Sequence, residues 1–252
     1  MLAPKNAYLT LKDHKHNFRE SLPCRLINPC KSELGVISKQ LLDRINVELL
    51  KATCVNQWKS TKSVIKWFEG ITPQRNTTFL TFDIKSFYPN ISKELLQNAI
   101  KFAKRYTTIS QLEEDIIFQA KSTLLFQDGV VWQKKHSVDP FDVTMGSADG
   151  AETCELIGTY ILNQINAIIP NHEIGLYRDD GLAIIHKNAR DAENTKKELC
   201  RKFQDFGLEI TAETNTTTID FLDVTLDVKT KEYRPFTKPG NRHLYVHKLS
   251  NQ

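Results

Sequence analysis

The chain has 252 residues, 40% of them apolar, enough for a real core in one large domain or two small ones. Its formal net charge of +4 is modest and by itself names no partner. The five cysteines, Cys24, Cys30, Cys54, Cys154 and Cys200, form no Cys-x-x-Cys and no zinc spacing; residues 1–18 carry no apolar signal core, and no stretch reaches membrane-spanning length. These features point away from a zinc module, a secreted domain and a membrane span. The expectation is a soluble intracellular protein with reduced thiols.

In chain order, short strands are predicted over residues 7–12 and 24–28, then helices over 33–51 and 57–70. In the first helix Ile37, Leu41, Leu42, Ile45 and Leu49 recur at helical spacing and are expected in the core. An apolar run from Phe79 ends at Asp83, a turn follows that Pro89 and Asn90 help to close, and Ser92 reads as the N-cap of a helix to about residue 106. Ser110 and Glu113 have the form of a capping box, starting a helix that ends near residue 125. Residues 127–130 read as a hairpin turn, and Thr144-Met145-Gly146-Ser147-Ala148-Asp149-Gly150 opens a helix to about residue 168, with Cys154 expected buried on it. Ile174-Gly175-Leu176 and Leu182-Ala183-Ile184-Ile185 flank a hairpin tip, Tyr177-Arg178-Asp179-Asp180, before Gly181. A helix over 189–206 and strands to the end complete the order. It fits an α+β architecture and not a doubly wound sheet.

Two adjacent aspartates at a turn repel each other unless something positive sits there. Taken alone, Asp179 and Asp180 read equally as a polar turn. Asp83 gives them a partner, because a carboxylate at the end of a central strand is neutralised either by a basic side chain or by a metal. If its strand lies beside the hairpin, the carboxylates converge, and oxygen donors without histidine suit Mg²⁺ rather than Zn²⁺.

At this point the chain resembles the reverse transcriptases. The first catalytic motif of that family, an Asp and an aromatic five residues on, matches Asp83 and Tyr88; its Tyr-x-Asp-Asp motif matches Tyr177 to Asp180. Lys12, Lys15 and Arg25 look like the fingers residues that grip an incoming triphosphate, with Arg25 the first choice. Gly146 stands where the family's second motif has its glycine, although Met145 replaces the usual Gln and Asp149-Gly150 the usual Ser-Pro. Residues 207–210 resemble the fourth motif without its lysine, and Phe221-Leu222-Asp223-Val224 resembles the strand that packs on the primer.

The resemblance implies a right-hand polymerase palm, an antiparallel sheet with helices on one face, joined to fingers and lacking a thumb, as in a fragment of a retroelement reading frame. Residues 1–78 would be the fingers-like part, 79–228 the palm and 229–252 a basic C-terminal strand or tail. It implies an RNA-directed DNA polymerase that takes an RNA template, a DNA primer and deoxynucleoside triphosphates. Two Mg²⁺ ions, for which Mn²⁺ could substitute, would be held by Asp83, Asp179, the Ile84 carbonyl and Asp180. Tyr88 would crowd a ribose 2′-hydroxyl, if it does not simply fill the core, and Lys12, Lys15, Arg25 and Gly146 would contact the nucleotide. Tyr177, Arg178, Phe221, Lys238 and Arg242 would contact nucleic acid.

The charge distribution agrees with this reading: residues 1–78 carry +7, 79–180 carry −5 and 181–252 carry +2. An acidic middle between basic ends suits a cation site that must also hold a polyanion. From Lys229 onward basic residues alternate with Tyr233, Phe236 and Tyr245, a pattern that could grip a strand or merely be a solvated hairpin. Three other readings share these residues: an RNA-directed RNA polymerase, a DNA-templated polymerase, and an inactive remnant that only binds nucleic acid.

Overall fold

The computed structural model describes residues 7–11, 24–29, 31–122, 125–128, 130–132 and 141–236. The chain opens with the antiparallel hairpin β1 (Tyr8–Leu11) and β2 (Cys24–Ile27). Helix α1 (Glu33–Thr53) follows, N-capped by Ser32, whose side chain accepts from the Gly35 amide at 3.0 Å. Its Leu42, Ile45 and Leu49 are buried as their spacing requires, but Ile37 stays 45% exposed. The helix expected from residue 57 begins later. Asn56–Gln57 form a short strand, β3, and Ser60 caps α2 (Thr61–Gly70).

Strand β4 (Thr77–Ile84) leads into a one-turn helix, α3 (Phe87–Asn90), where a turn was expected, and then α4 (Lys93–Ala103), which Ser92 caps. Helix α5 (Gln111–Gln119) has the capping box read from Ser110 and Glu113, but it stops well short of residue 125. The hairpin β5 (Leu125–Gln127) and β6 (Val130–Trp132) precedes α6 (Gly150–Gln164). Next come β7 (Ile174–Tyr177), β8 (Asp180–His186), α7 (Ala189–Asp205) and β9 (Ile210–Thr216). Three short strands, β10 (Thr218–Phe221), β11 (Val224–Asp227) and β12 (Glu232–Pro235), form a small antiparallel sheet. No helix among the described residues is long and apolar enough to cross a membrane.

The principal sheet has the order β3-β7-β8-β4-β9. It is antiparallel except at its edge, where β3 joins β7 in parallel over two residues. Side chains alternate between its faces. Leu80, Phe82, Ile84, Ala183 and Ile185 belong to the large core with Leu42 of α1, Leu96 of α4, Ile157 of α6 and Phe203 of α7. Each large side chain buried there contributes about 1.5–3 kcal/mol. Phe82 and Phe203 meet with ring centroids 5.3 Å apart.

Phe79, Leu182 and Ile184 face the other way, into a second core with Trp58, Phe68, Phe221 and Leu226. That face is covered by α2 and the small sheet. The covered part is apolar. Two residues further along β4, on the same face as Phe79 and Thr81, stands Asp83, exposed to solvent. Glycine is required where the main chain comes close: a Cβ on Gly181, the cross-strand partner of Phe82, would lie 2.0 Å from the Phe82 ring. The residues ahead of β4 share these cores, since α1 lines the first, Phe68 of α2 lines the second and β3 is an edge of the sheet.

Candidate active site

Asp83 and Asp180 are direct Cα partners across β4 and β8, so their side chains leave the sheet on one face. Both line an open cleft of about 240 Å³ with Thr81, Thr211, Glu213, Ile219, Asp220 and Phe221. Like charges placed directly opposite one another disfavour the pairing by up to about 1 kcal/mol. Nothing in strand pairing calls for them.

Asp179 occupies the two-residue turn that joins β7 to β8, after Arg178. Its carbonyl accepts from the Ile84 amide at 2.9 Å, which ties the tip of the hairpin to the end of β4. Arg178 is held at φ 56°, a left-handed conformation for a residue with a Cβ, and its guanidinium lies 5.5 Å from the centre of the Tyr177 ring. The Asp179 charge is felt by Tyr88 and Cys154 on the helical side of the turn. The structure thus brings Asp83, Asp179 and Asp180 to one end of the sheet, with Asp83 and Asp180 facing each other across the strands and Asp179 next to them in the turn.

Past Asp83 the chain bends sharply. Ser86 has φ 47°, the Lys85 amide donates to the Glu209 carbonyl at 2.9 Å, and the Asn90 side chain donates to the Lys85 carbonyl at 3.0 Å. Phe87 is buried and Tyr88 half-buried. Burial, above all, pushes the Tyr88 hydroxyl up from its ordinary range; the neighbouring Cys154 acts in the same direction and the nearby Arg178 opposes it. Burial likewise pushes the Cys154 thiol well up, which keeps it a neutral group.

Gly146 has φ +87°, and a Cβ there would lie 2.7 Å from the Asn28 carbonyl oxygen, so only glycine fits. The Asn28 amide donates to the Met145 carbonyl at 2.8 Å, which joins the β1–β2 hairpin to the loop before α6. Arg25 stands exposed on β2, two residues ahead of the Ile27–Met145 bridge. Phe221, expected at a nucleic-acid strand, is only 6% exposed and packs on Trp58 at 5.7 Å, so it supports the cleft wall from the core. Ile84 buries its side chain completely. Lys12, Lys15, Lys238 and Arg242 lie outside the described residues.

The sequence reading missed one polar cluster. Lys121 and Asp149, each with 1% of its side chain exposed, form an ion pair, and the Ser38 hydroxyl donates to the same carboxylate at 2.5 Å. Burial lowers the Lys121 pKa, and the Asp149 carboxylate offsets part of that shift. The signal was present in the departure of Asp149-Gly150 from the family's Ser-Pro.

Among the described residues no group of three or more His, Cys, Asp or Glu side chains is gathered closely enough to hold a metal ion. The donor chemistry nevertheless fits a hard divalent cation: two opposed carboxylates at an open cleft whose lining has no His or Cys, with the Asp179 carboxylate adjacent in the chain.

The sequence matches no protein-family model, and no curated protein matches it significantly. Solved structures do match. A telomerase from Candida tropicalis, truncated from its C-terminal domain, aligns at 14% identity and a TM-score of 0.59 over 79% of this chain and 44% of that one. The RNA-dependent RNA polymerase of BmCPV, in its elongation state, aligns at 12% identity and a TM-score of 0.61 over 93% of this chain and 22% of that one. That of a human picobirnavirus aligns at 13% and 0.59 over 82% and 41%. The fold is a right-hand polymerase palm. The chain spans less than half the length of each of these three structures. In this palm, β4 and the β7–β8 hairpin carry the carboxylates, α4, α6 and α7 back the sheet, and the open face holds the cleft.

Proposed function

We propose that this chain is the palm-bearing part of an RNA-directed DNA polymerase of the retroelement type, which transfers a deoxynucleotide to a primer 3′-hydroxyl. The observation that carries the reading is Asp83 set directly opposite Asp180 at the mouth of the cleft, with the hairpin tip pinned to β4 by the Ile84–Asp179 hydrogen bond. Asp83 and Asp179, with the Ile84 carbonyl and Asp180 beside them, would hold two Mg²⁺ ions. Such ions lower the pKa of a hydroxyl nucleophile and neutralise a departing pyrophosphate.

The residues of the chain supply the rest. The carboxylates fix where the primer end and the α-phosphate meet, which removes much of the entropic barrier to reaction. Arg25 would place positive charge near the outer phosphates from the β1–β2 hairpin, which the Asn28–Met145 hydrogen bond ties to the Gly146 loop. Gly146 leaves the backbone bare where a base pair must come close. Tyr88 sets its half-buried ring against the first turn of α6, where it would crowd a 2′-hydroxyl. Template and primer phosphates would meet the exposed Arg178 beside Tyr177.

A second reading, an RNA-directed RNA polymerase, has the same palm and is favoured by the two viral polymerases among the similar structures. The aromatic ring at Tyr88 supports the DNA product instead. The deciding experiment is primer extension on RNA and DNA templates with either deoxy- or ribonucleotides, with Asp83→Asn as the control. Extension with deoxynucleotides on RNA supports the proposal; extension with ribonucleotides alone supports the second reading. Tight template binding without extension would identify a catalytically silent nucleic-acid-binding module.

A further inference from the structure

We propose that Lys121 is a positioning residue for nucleotide binding: its main chain and its ammonium hold the two ends of the loop over residues 142–149, and that loop sets where the β1–β2 hairpin carries Arg25. The inference rests on the polymerase reading above and names what places one of its nucleotide contacts.

All four residues of β1 and the first two of β2, Cys24 and Arg25, are exposed. A two-stranded hairpin so little covered has scant stability of its own, and its position is set at its root. There Ile27 bridges Met145, and the Asn28 amide donates to the Met145 carbonyl at 2.8 Å. Asn28 is only 6% exposed, and its side-chain amide reaches the Thr144 hydroxyl at 3.4 Å. Gly146 comes next, too close to the Asn28 carbonyl for any side chain. Arg25 therefore stands where the turn at residues 144–146 puts it.

That turn belongs to a loop closed by one residue. At the start of the loop the Lys121 carbonyl accepts from the Asp142 amide at 2.9 Å, and at its end the Lys121 ammonium pairs with the Asp149 carboxylate. Asp149 also receives the Ser38 hydroxyl from α1, and all three residues are at most 1% exposed. A Cβ at Gly35, one turn earlier in α1, would lie 3.2 Å from the Ala148 Cβ, so the same helix backs the loop just before Asp149. Within the loop the Ser147 hydroxyl donates to the Thr144 carbonyl at 2.8 Å. A buried carboxylate bound by two other elements resists displacement, because moving it would strand a charge in the core. The series thus runs from Lys121 and Ser38 to Asp149, along the loop to Met145 and Thr144, and across to Asn28 at the root of the hairpin.

The test is single-turnover primer extension by the full chain at rising deoxynucleotide concentration, which separates the apparent nucleotide Kd from the maximal rate. It compares the unmodified chain with the double variant Lys121→Met, Asp149→Leu and with Ser38→Ala, with urea unfolding alongside. Two apolar side chains leave no stranded charge, so the double variant regains stability relative to Lys121→Met, but they make no directional bond that holds the loop. The double variant is expected to raise the nucleotide Kd about tenfold and Ser38→Ala about threefold, with the maximal rate within about twofold of the unmodified chain, because the loss is one of binding shared by ground and transition states. Primer-template affinity stays unchanged. In an Arg25→Ala background the double variant is expected to add less than about twofold, since the contact it positions is gone. Ser38→Ala keeps the ion pair and carries the test by itself if the double variant does not fold. A nucleotide Kd unaltered in Ser38→Ala and the double variant, one that merely follows the urea midpoint, or a full effect without Arg25 each overturns the inference while leaving the polymerase reading intact. An unmodified chain that extends no primer overturns both.

Discussion

The two ends of the β4–β8 ladder are built from the same strands in one continuous register, yet they are opposites in chemistry. At one end Thr77 faces His186, and their side chains meet at 2.8 Å; Thr77 also serves the Gln74 main chain, and the other imidazole nitrogen lies 3.5 Å from Glu173. The two facing side chains there are matched to each other. At the other end Asp83 faces Asp180, like charge to like charge, and the adjoining turns hold Arg178 and Ser86 at positive φ. Strand pairing alone would choose the first arrangement at both ends. The second sets two carboxylates on one face at the mouth of the cleft, and such a departure from local pairing rules is expected where a site, rather than the sheet, sets the residues.

The largest expected effect breaks this contrast at its charged end. Asp83→Asn or Asp179→Asn should reduce primer extension below detection, and Asp180→Asn less severely, since the second aspartate of such a hairpin need not meet both cations. Urea unfolding of Asp83→Asn should show a fold nearly as stable as that of the unmodified chain, within about 1 kcal/mol, so that lost extension is not lost structure. The reverse holds at the matched end, where Thr77→Ala should cost about 1–2 kcal/mol through the loss of its hydrogen bonds and leave extension unaffected. An Asp83→Asn variant that extends primers normally would sink the assignment of the site.

Next in size is the buried pair beneath α6. Lys121→Met leaves the Asp149 carboxylate without its cation in a site 1% exposed, and removing one partner of such a pair typically costs about 3–5 kcal/mol. The double variant Lys121→Met, Asp149→Leu should recover much of that loss, because two well-packed apolar side chains leave no stranded charge. Equilibrium unfolding of the single and double variants checks this; a double variant as unstable as the single one would show that the pair does more than neutralise itself.

What could be read from the sequence divides along the same line as local and distant partners. Asp83, the Tyr177–Asp180 tip and the capping box at Ser110 are patterns within a few residues, and the structure places them at a strand end, a hairpin tip and a helix start. The palm class followed from their order. Lys121 could not be placed, because a lysine is solvent-exposed by default and its partner is 28 residues away in the chain. Phe221 lies in a motif that resembles a primer-contacting strand, but Trp58, far off in sequence, turns its ring into the second core. The helix expected from residue 57 lost its start to a two-residue parallel pairing with β7, which periodicity cannot show. Ile37 kept helical spacing and stayed exposed because periodicity names a face, not its cover.

A smaller effect concerns Tyr88, which stands beside the charged end without carrying charge. Tyr88→Ala should raise ribonucleotide use relative to deoxynucleotide by more than tenfold, since a steric clash is worth more than the few kcal/mol that separate related substrates in a loose pocket. Specificity constants for the two nucleotides on one primer-template decide it. An unchanged ratio would make Tyr88 a core residue only.

The smallest effect lies in the turn itself and asks whether its strain serves binding. Arg178 has φ 56°, which glycine adopts freely, so Arg178→Gly relieves about 1 kcal/mol of backbone strain. It also removes the cation from the Tyr177 ring, a contact worth about 0.5 kcal/mol at an exposed site. The net change in stability should therefore be slight and favourable, visible as a small rise in the urea midpoint with an unchanged slope. Binding should move the other way. If the guanidinium neutralises one phosphate, its loss weakens primer-template affinity uniformly across sequences and makes the log-log salt dependence shallower by about one. A variant that is more stable and binds less well would show that the left-handed arginine is retained for the nucleic acid; one with unaltered salt dependence would show that Arg178 contacts no phosphate and that the turn's strain belongs to the placement of Asp179 alone.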